Sequence, residues 1–84
     1  MHFLLKFIYP HVEIRNGKVL NYSKSIPKGF IRDVEEVAKL KNLNNGNIYI
    51  SGKQKSSKIL ISSSLYEAKQ RLFNVWGTYK SRFK

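Results

Sequence analysis

The sequence predicts an α+β fold, a four-stranded antiparallel sheet with two helices packed on one face, in the order ββαββα. Three observations predict it. Asn16-Gly17 splits a stretch of alternating apolar and polar residues, and this dipeptide supplies the positive φ angles of a hairpin turn. Two longer stretches carry apolar residues at helical spacing, each led by a serine. Between them lie two short β-branched runs separated by a polar loop. The 84 residues leave room for one domain. A chain of this size buries only about 60% of its unfolded surface, so its large apolar side chains are needed in the core. With 42% hydrophobic and 13% aromatic residues, a disordered chain is excluded.

The first hairpin joins His11-Val12-Glu13-Ile14-Arg15 to Lys18-Val19-Leu20-Asn21-Tyr22. A two-residue turn sets Arg15 opposite Lys18, Ile14 opposite Val19 and Glu13 opposite Leu20. Val12 and Ile14 then share one face, and His11, Glu13, Leu20 and Tyr22 the other. Ser25 is the expected N-cap of the first helix, with Pro27 tolerated in its first turn. Phe30, Ile31, Val34, Val37, Ala38 and Leu40 form its apolar stripe, and Asn44-Asn45-Gly46 its stop. Asn47–Ser51 is the third strand, with Ile48 and Ile50 facing one way and Tyr49 the other. Gly52–Ser57 is a basic loop, and Lys58–Ser62 the fourth strand. Ser64 and Glu67 have capping-box spacing. The second helix then carries Leu65, Ala68, Leu72, Val75 and Trp76, with Phe73 beside them, and Gly77 is its expected stop.

The order reads as two ββα units, and a shift of 39 residues aligns Ile26 with Leu65, Arg32 with Arg71 and Val37 with Trp76. The expected organisation is an apolar arm over residues 1–10, a domain over 11–77 and a basic tail over 78–84. The arm is interrupted by Lys6. As helix the nine residues before Pro10 span about 14 Å against a hydrocarbon core of about 30 Å, so the arm does not cross a bilayer. It also lacks the pattern of a secretory signal.

The runs Ile14-Arg15-Asn16-Gly17-Lys18, Ser25-Ile26-Pro27-x-x-Phe30-Ile31-x-Asp33 and Gln70-Arg71-x-x-Asn74-Val75-Trp76 resemble a small bacterial family. It is the domain-of-unknown-function family numbered 3634, found mainly in gammaproteobacteria. The resemblance covers residues 12 to 77. It implies one compact domain and brings no activity, cofactor or site residues. Its members often begin with a longer apolar anchoring segment, whereas the apolar stretch here is Phe3 to Tyr9.

Nothing in the sequence carries catalytic spacing, and a non-enzymatic protein is expected. The absence of cysteine excludes a disulfide scaffold, a thiolate metal site and a cysteine nucleophile. His2 and His11 have no metal-ligand spacing around them. Asp33, Glu35 and Glu36 read as a solvated helix face, with Glu35 and Lys39 at pairing distance, rather than as a Mg²⁺ site. No nucleophile elbow, P-loop, RNA-recognition or KH signature is present. No cofactor and no metal site is expected.

The charge is the most informative quantity. Sixteen Lys and Arg against five Asp and Glu give a net charge of +11. Residues 1–42 carry eight basic and four acidic residues, and residues 43–84 eight basic and one acidic. The excess therefore lies in the second hairpin, second helix and tail. Lys53, Lys55, Lys58, Lys69, Arg71, Lys80 and Arg82 are the expected phosphate contacts, with Tyr49 and Tyr79 as candidates for base stacking. Lysines in hairpins also protect sheet edges and are commonly just solvated. The expected function is binding of nucleic acid, RNA or non-specific, through phosphate contacts. Two alternatives are a homodimer or complex through an exposed Leu20, Tyr22 and Tyr49 sheet face, and reversible attachment to an anionic membrane surface through the arm and basic residues. The expected location is the cytoplasm, with membrane association as the alternative.

Overall fold

In the computed structural model, which describes residues 9–83, Asn16 and Gly17 take φ angles of 54° and 78° and turn β1 (His11–Arg15) into β2 (Lys18–Tyr22). Most of the apolar arm of residues 1–10, and Lys84 of the tail, lie outside the described residues. Next to the turn the register is the expected one, with Arg15 opposite Lys18 and Ile14 opposite Val19. It then shifts. Glu13 pairs with Asn21 rather than Leu20, so Leu20 is the extra residue of a β-bulge. The Glu35 carboxylate accepts the Val19 N–H at 3.1 Å beside this bulge, so Glu35 is tied to β2 instead of standing as a solvated partner of Lys39. Tyr22 pairs with Val12, and cross-strand partners share a face. Tyr22 therefore sits on the Val12 side of the sheet, not on the side of Tyr49 as expected.

Helix α1 (Lys28–Leu40) begins at Pro27, and no side chain caps it. Ser25 does not reach the helix, because Ile26 enters the core between them. Phe30, Val34, Val37 and Ala38 are buried, whereas Leu40 at the C-terminus is exposed. The helix stops earlier than Asn44-Asn45-Gly46. Asn42 takes φ 55°, the Leu43 N–H bonds Ala38 O at 2.9 Å and the Asn42 N–H bonds Lys39 O at 3.4 Å. This is a Schellman stop with asparagine in the left-handed position and Leu43 folded back into the core.

Strands β3 (Gly46–Ser51) and β4 (Lys58–Ile61) complete an open antiparallel sheet in the order β2-β1-β3-β4. A six-residue 3-10 segment, Ser63–Ala68, leads into α2 (Lys69–Tyr79). The expected capping box does not form. The 3-10 turn starts at Ser63, and the Ser62 hydroxyl before it accepts the Asn47 N–H at 3.0 Å. Gly77 does not end the second helix either. The chain continues through Tyr79 into a 3-10 turn, Lys80–Arg82, because burying Tyr79 and Phe83 outweighs the weak helix propensity of glycine.

The core is one cluster between the sheet and both helices, containing Val12, Ile14, Ile48, Ile50 and Ile59 on the sheet side. At its centre Trp76 meets Phe30 of α1 edge-on at 4.8 Å and Phe83 at 5.5 Å. Its indole N–H donates to the Ser57 hydroxyl at 3.2 Å, so the one polar atom of this ring is satisfied inside.

The start of β3 is tightly packed, since a Cβ at Gly46 would overlap the Leu65 side chain. We expect Gly46→Ala to lower stability by about 1–3 kcal/mol. Urea unfolding checks this as a lower midpoint with an unchanged slope.

Candidate functional site

The β3–β4 connection and the C-terminal turn are bonded to each other. The Gln54 N–H donates to Phe83 O at 2.8 Å. Within the connection, the Ser56 hydroxyl donates to Lys53 O at 2.8 Å and the Ser57 hydroxyl to Gln54 O at 2.6 Å. Lys53 and Lys55 are therefore exposed on a turn with a defined course. Lys80 and Arg82 stand on the adjoining 3-10 turn. Lys58 opens β4 and, with Lys80, Ile59, Phe73, Trp76 and Gly77, lines a groove of about 230 Å³ between β4 and α2. Lys69 lies one helical turn back on the same flank, its Nζ 5.3 Å from the Tyr66 ring centroid and 5.8 Å from that of Phe73.

Of the seven expected phosphate contacts, Lys58 and Lys80 thus line one groove with Lys69 beside it at Phe73, and Lys53, Lys55 and Arg82 stand on the two bonded turns next to it, Lys53 lining a separate groove with Pro10, Ser25 and Phe83 and Arg82 lying over Tyr79. Arg71 does not join them. It lines a polar groove between α1 and α2 with Asp33, Glu67, Gln70 and Asn74, because two positions along a helix turn a side chain to the opposite flank. The ion pairs among the described residues are Arg15–Glu13 at 2.9 Å and Arg32–Asp33 at 4.0 Å, and neither involves any of these cations.

The expected stacking residues are placed differently. Tyr49 is only 4% exposed, in register between His11 of β1 and Leu60 of β4 in the middle of the sheet. Tyr79 is half-buried, its ring edge-on to Phe30 at 6.2 Å and its hydroxyl donating to Asp33 Oδ2 at 2.9 Å. The Arg82 guanidinium sits 6.0 Å from the Tyr79 centroid. Tyr79 is thus a packing residue that spans both helices. Leu20, Tyr22 and Tyr49 do not share one exposed face, since Tyr49 is buried and the bulge moves Tyr22 across. The exposed aromatics beside the cations are Tyr66, 59% exposed, and Phe73, 41% exposed. Helical spacing predicts Phe73 beside the core stripe, whereas its ring faces outward over the groove. The signal for this cluster is the spacing itself, Tyr66, Lys69 and Phe73 at steps of three and four.

Among the described residues no group of three His, Asp or Glu is placed to hold a metal ion, and no helix is long and apolar enough to cross a membrane.

The chain matches, over residues 6–84, the model of a family described as protein of unknown function (DUF3634). It belongs to this family. The match extends the DUF3634 resemblance of residues 12–77 at both ends and takes in every described element. Of the side chains that carried the resemblance, Phe30 and Trp76 meet in the core. Asp33, Gln70, Arg71 and Asn74 line the groove between the helices. No curated protein and no solved structure matches this DUF3634 chain.

The bond to Asp33 pushes the Tyr79 phenol above its ordinary value of 10.0, chiefly because its O–H donates to the carboxylate, with burial and the Asp33 charge adding to this. A group raised in the folded state contributes stability that is complete below its ordinary value and lost as the pH climbs past it. We expect the native protein to lose more stability than Tyr79→Phe between about pH 8 and about pH 11, measured by urea unfolding. Equal losses would sink this assignment.

Proposed function

We propose that this chain is a small, non-enzymatic nucleic-acid-binding domain that grips the phosphate backbone along the edge formed by β4, α2 and the two adjoining turns. One observation carries the reading. Lys58, Lys69 and Lys80 gather at the groove between β4 and α2, Lys53, Lys55 and Arg82 stand on the two bonded turns beside it, and none of the six is within ion-pair distance of a carboxylate among the described residues. Cations left without carboxylate partners are what a polyanion needs, since binding is driven by release of the counterions condensed on the phosphates. The nearby Glu67 faces the other groove and does not neutralise them. The resemblance to a gammaproteobacterial family supports a bacterial source, and the lack of cysteine suits a reducing cytoplasm.

Six contacts to a single strand give a slope of about −4 in log affinity against log salt. Raising salt from about 50 to about 200 mM should therefore weaken binding by two to three orders of magnitude, roughly. Reversing three charges together, K53E/K55E/K58E, should lower affinity at least about tenfold and flatten the slope by about 2 units. Fluorescence anisotropy across a salt series measures both. Full affinity in the triple variant would remove the site from this edge.

A further inference from the structure

Gly77 is the anomaly of the second helix. It lies inside α2, where glycine costs about 1 kcal/mol relative to alanine. Such a residue normally answers to a turn, a left-handed φ or a neighbour that leaves no room for a side chain. None applies here. The helix runs on past it, its φ is not positive, and a Cβ built on it meets nothing within 4 Å. What lies over it is the groove between β4 and α2.

That groove has a consistent chemistry. Trp76 and Ile59 give it apolar walls, the exposed Phe73 ring stands at one side, and Lys58 and Lys80 flank it. Its volume of about 230 Å³ is below the range of roughly 300 Å³ and upward usual for drug-sized ligands. A single flat ring system suits this space, and the bare helix backbone at Gly77 lets its edge or face come close. Flanking cations favour a ring that arrives with negative charge on either side of it.

We propose that the Gly77 groove receives one unpaired nucleobase of a single-stranded nucleic acid, stacked against Phe73, while Lys58 and Lys80 hold the phosphates next to it. This rests on the phosphate-binding reading above and adds a preference to it. In a duplex the bases are stacked on each other and do not reach the groove, whereas a single strand presents them to aromatic side chains at little cost. The preference is for single strands, with little sequence choice, because every base has a π-face.

The test uses the full chain and four probes of matched total charge: an oligouridylate, the abasic oligonucleotide of the same length, a DNA duplex of half that length and a polyglutamate peptide. We expect the oligouridylate to bind about tenfold more tightly than the abasic strand and the duplex, the scale of one base–aromatic stack. Phe73→Ala should remove that difference, so that the variant binds oligouridylate no more tightly than it binds the abasic strand. Gly77→Val, which puts a branched side chain into the groove where the helix backbone is bare, should do the same. Thermal melting of each variant confirms that it is folded, and Gly77→Ala should melt higher than the native chain. Equal binding of the abasic and base-bearing strands overturns the nucleobase site and leaves the phosphate reading standing. So does an unchanged oligouridylate affinity in both folded variants. Failure to bind any of the nucleic acids, or equally tight binding of polyglutamate, overturns both.

Discussion

Trp76 is the joint on which the arrangement depends. Its ring is buried against Phe30 of α1 and Phe83 of the C-terminal turn, and its indole N–H bonds Ser57 at the mouth of β4. One side chain therefore fixes the second helix to the first helix, to the end of the chain and to the β3–β4 connection. The two turns that carry Lys53, Lys55, Lys80 and Arg82 hang from this joint, and the Gln54–Phe83 backbone bond locks them to each other. An apolar contact at the centre thus determines where charge collects at the rim.

The acids explain why that charge stays uncompensated. Glu13 accepts a bond from Arg15, Glu35 from the Val19 backbone and Asp33 from Tyr79. Three of the five carboxylates in the chain are thereby engaged by the fold on the β1, β2 and α1 side. On the far side, the cations about β4 and α2 have no carboxylate within ion-pair distance among the described residues. Net charge is a property of composition, but its field at a surface depends on which acids the fold keeps for its own bonds.

The order of elements was legible in the sequence because it rests on local signals: Asn16-Gly17, the period-two strands and the two amphipathic stripes. What escaped was decided across distance. The bulge at Leu20 sits where Glu35, sixteen residues away in sequence, takes the Val19 N–H. The serine caps failed because the chain uses those positions otherwise: Ile26 after Ser25 enters the core, and the Ser64 hydroxyl lies 3.1 Å from the Ser62 hydroxyl inside a 3-10 segment with no side-chain cap. Gly77 looked like a stop because its local preference is for one, and the burial of Tyr79 and Phe83 overrode it. For the candidate site, the cations were legible as residues but their gathering was not. Lys58 and Lys80 meet at one groove with Lys69 beside it, turn packing brings Lys53, Lys55 and Arg82 next to it, and Arg71 departs for a reason the helical period already contained. Tyr49 follows from strand alternation and Tyr79 from its place among the tail cations, but the middle of the sheet buries the first and packing on Phe30 with the bond to Asp33 half-buries the second.

The bulge in β2 has a wider bearing. An open sheet has two edges, and each is a row of backbone groups able to pair with another chain. Here the β2 edge is bent by an extra residue, and one of its N–H groups is already bonded to a carboxylate from the helix layer. The β4 edge is regular in register along its partner. A molecule with one blunted edge and one regular edge has a single valence for strand pairing. Among the described residues, pairing between two copies would use the β4 edge and leave only the bent β2 edge, so the same irregularity that displaces Tyr22 also works against propagation into open-ended fibres.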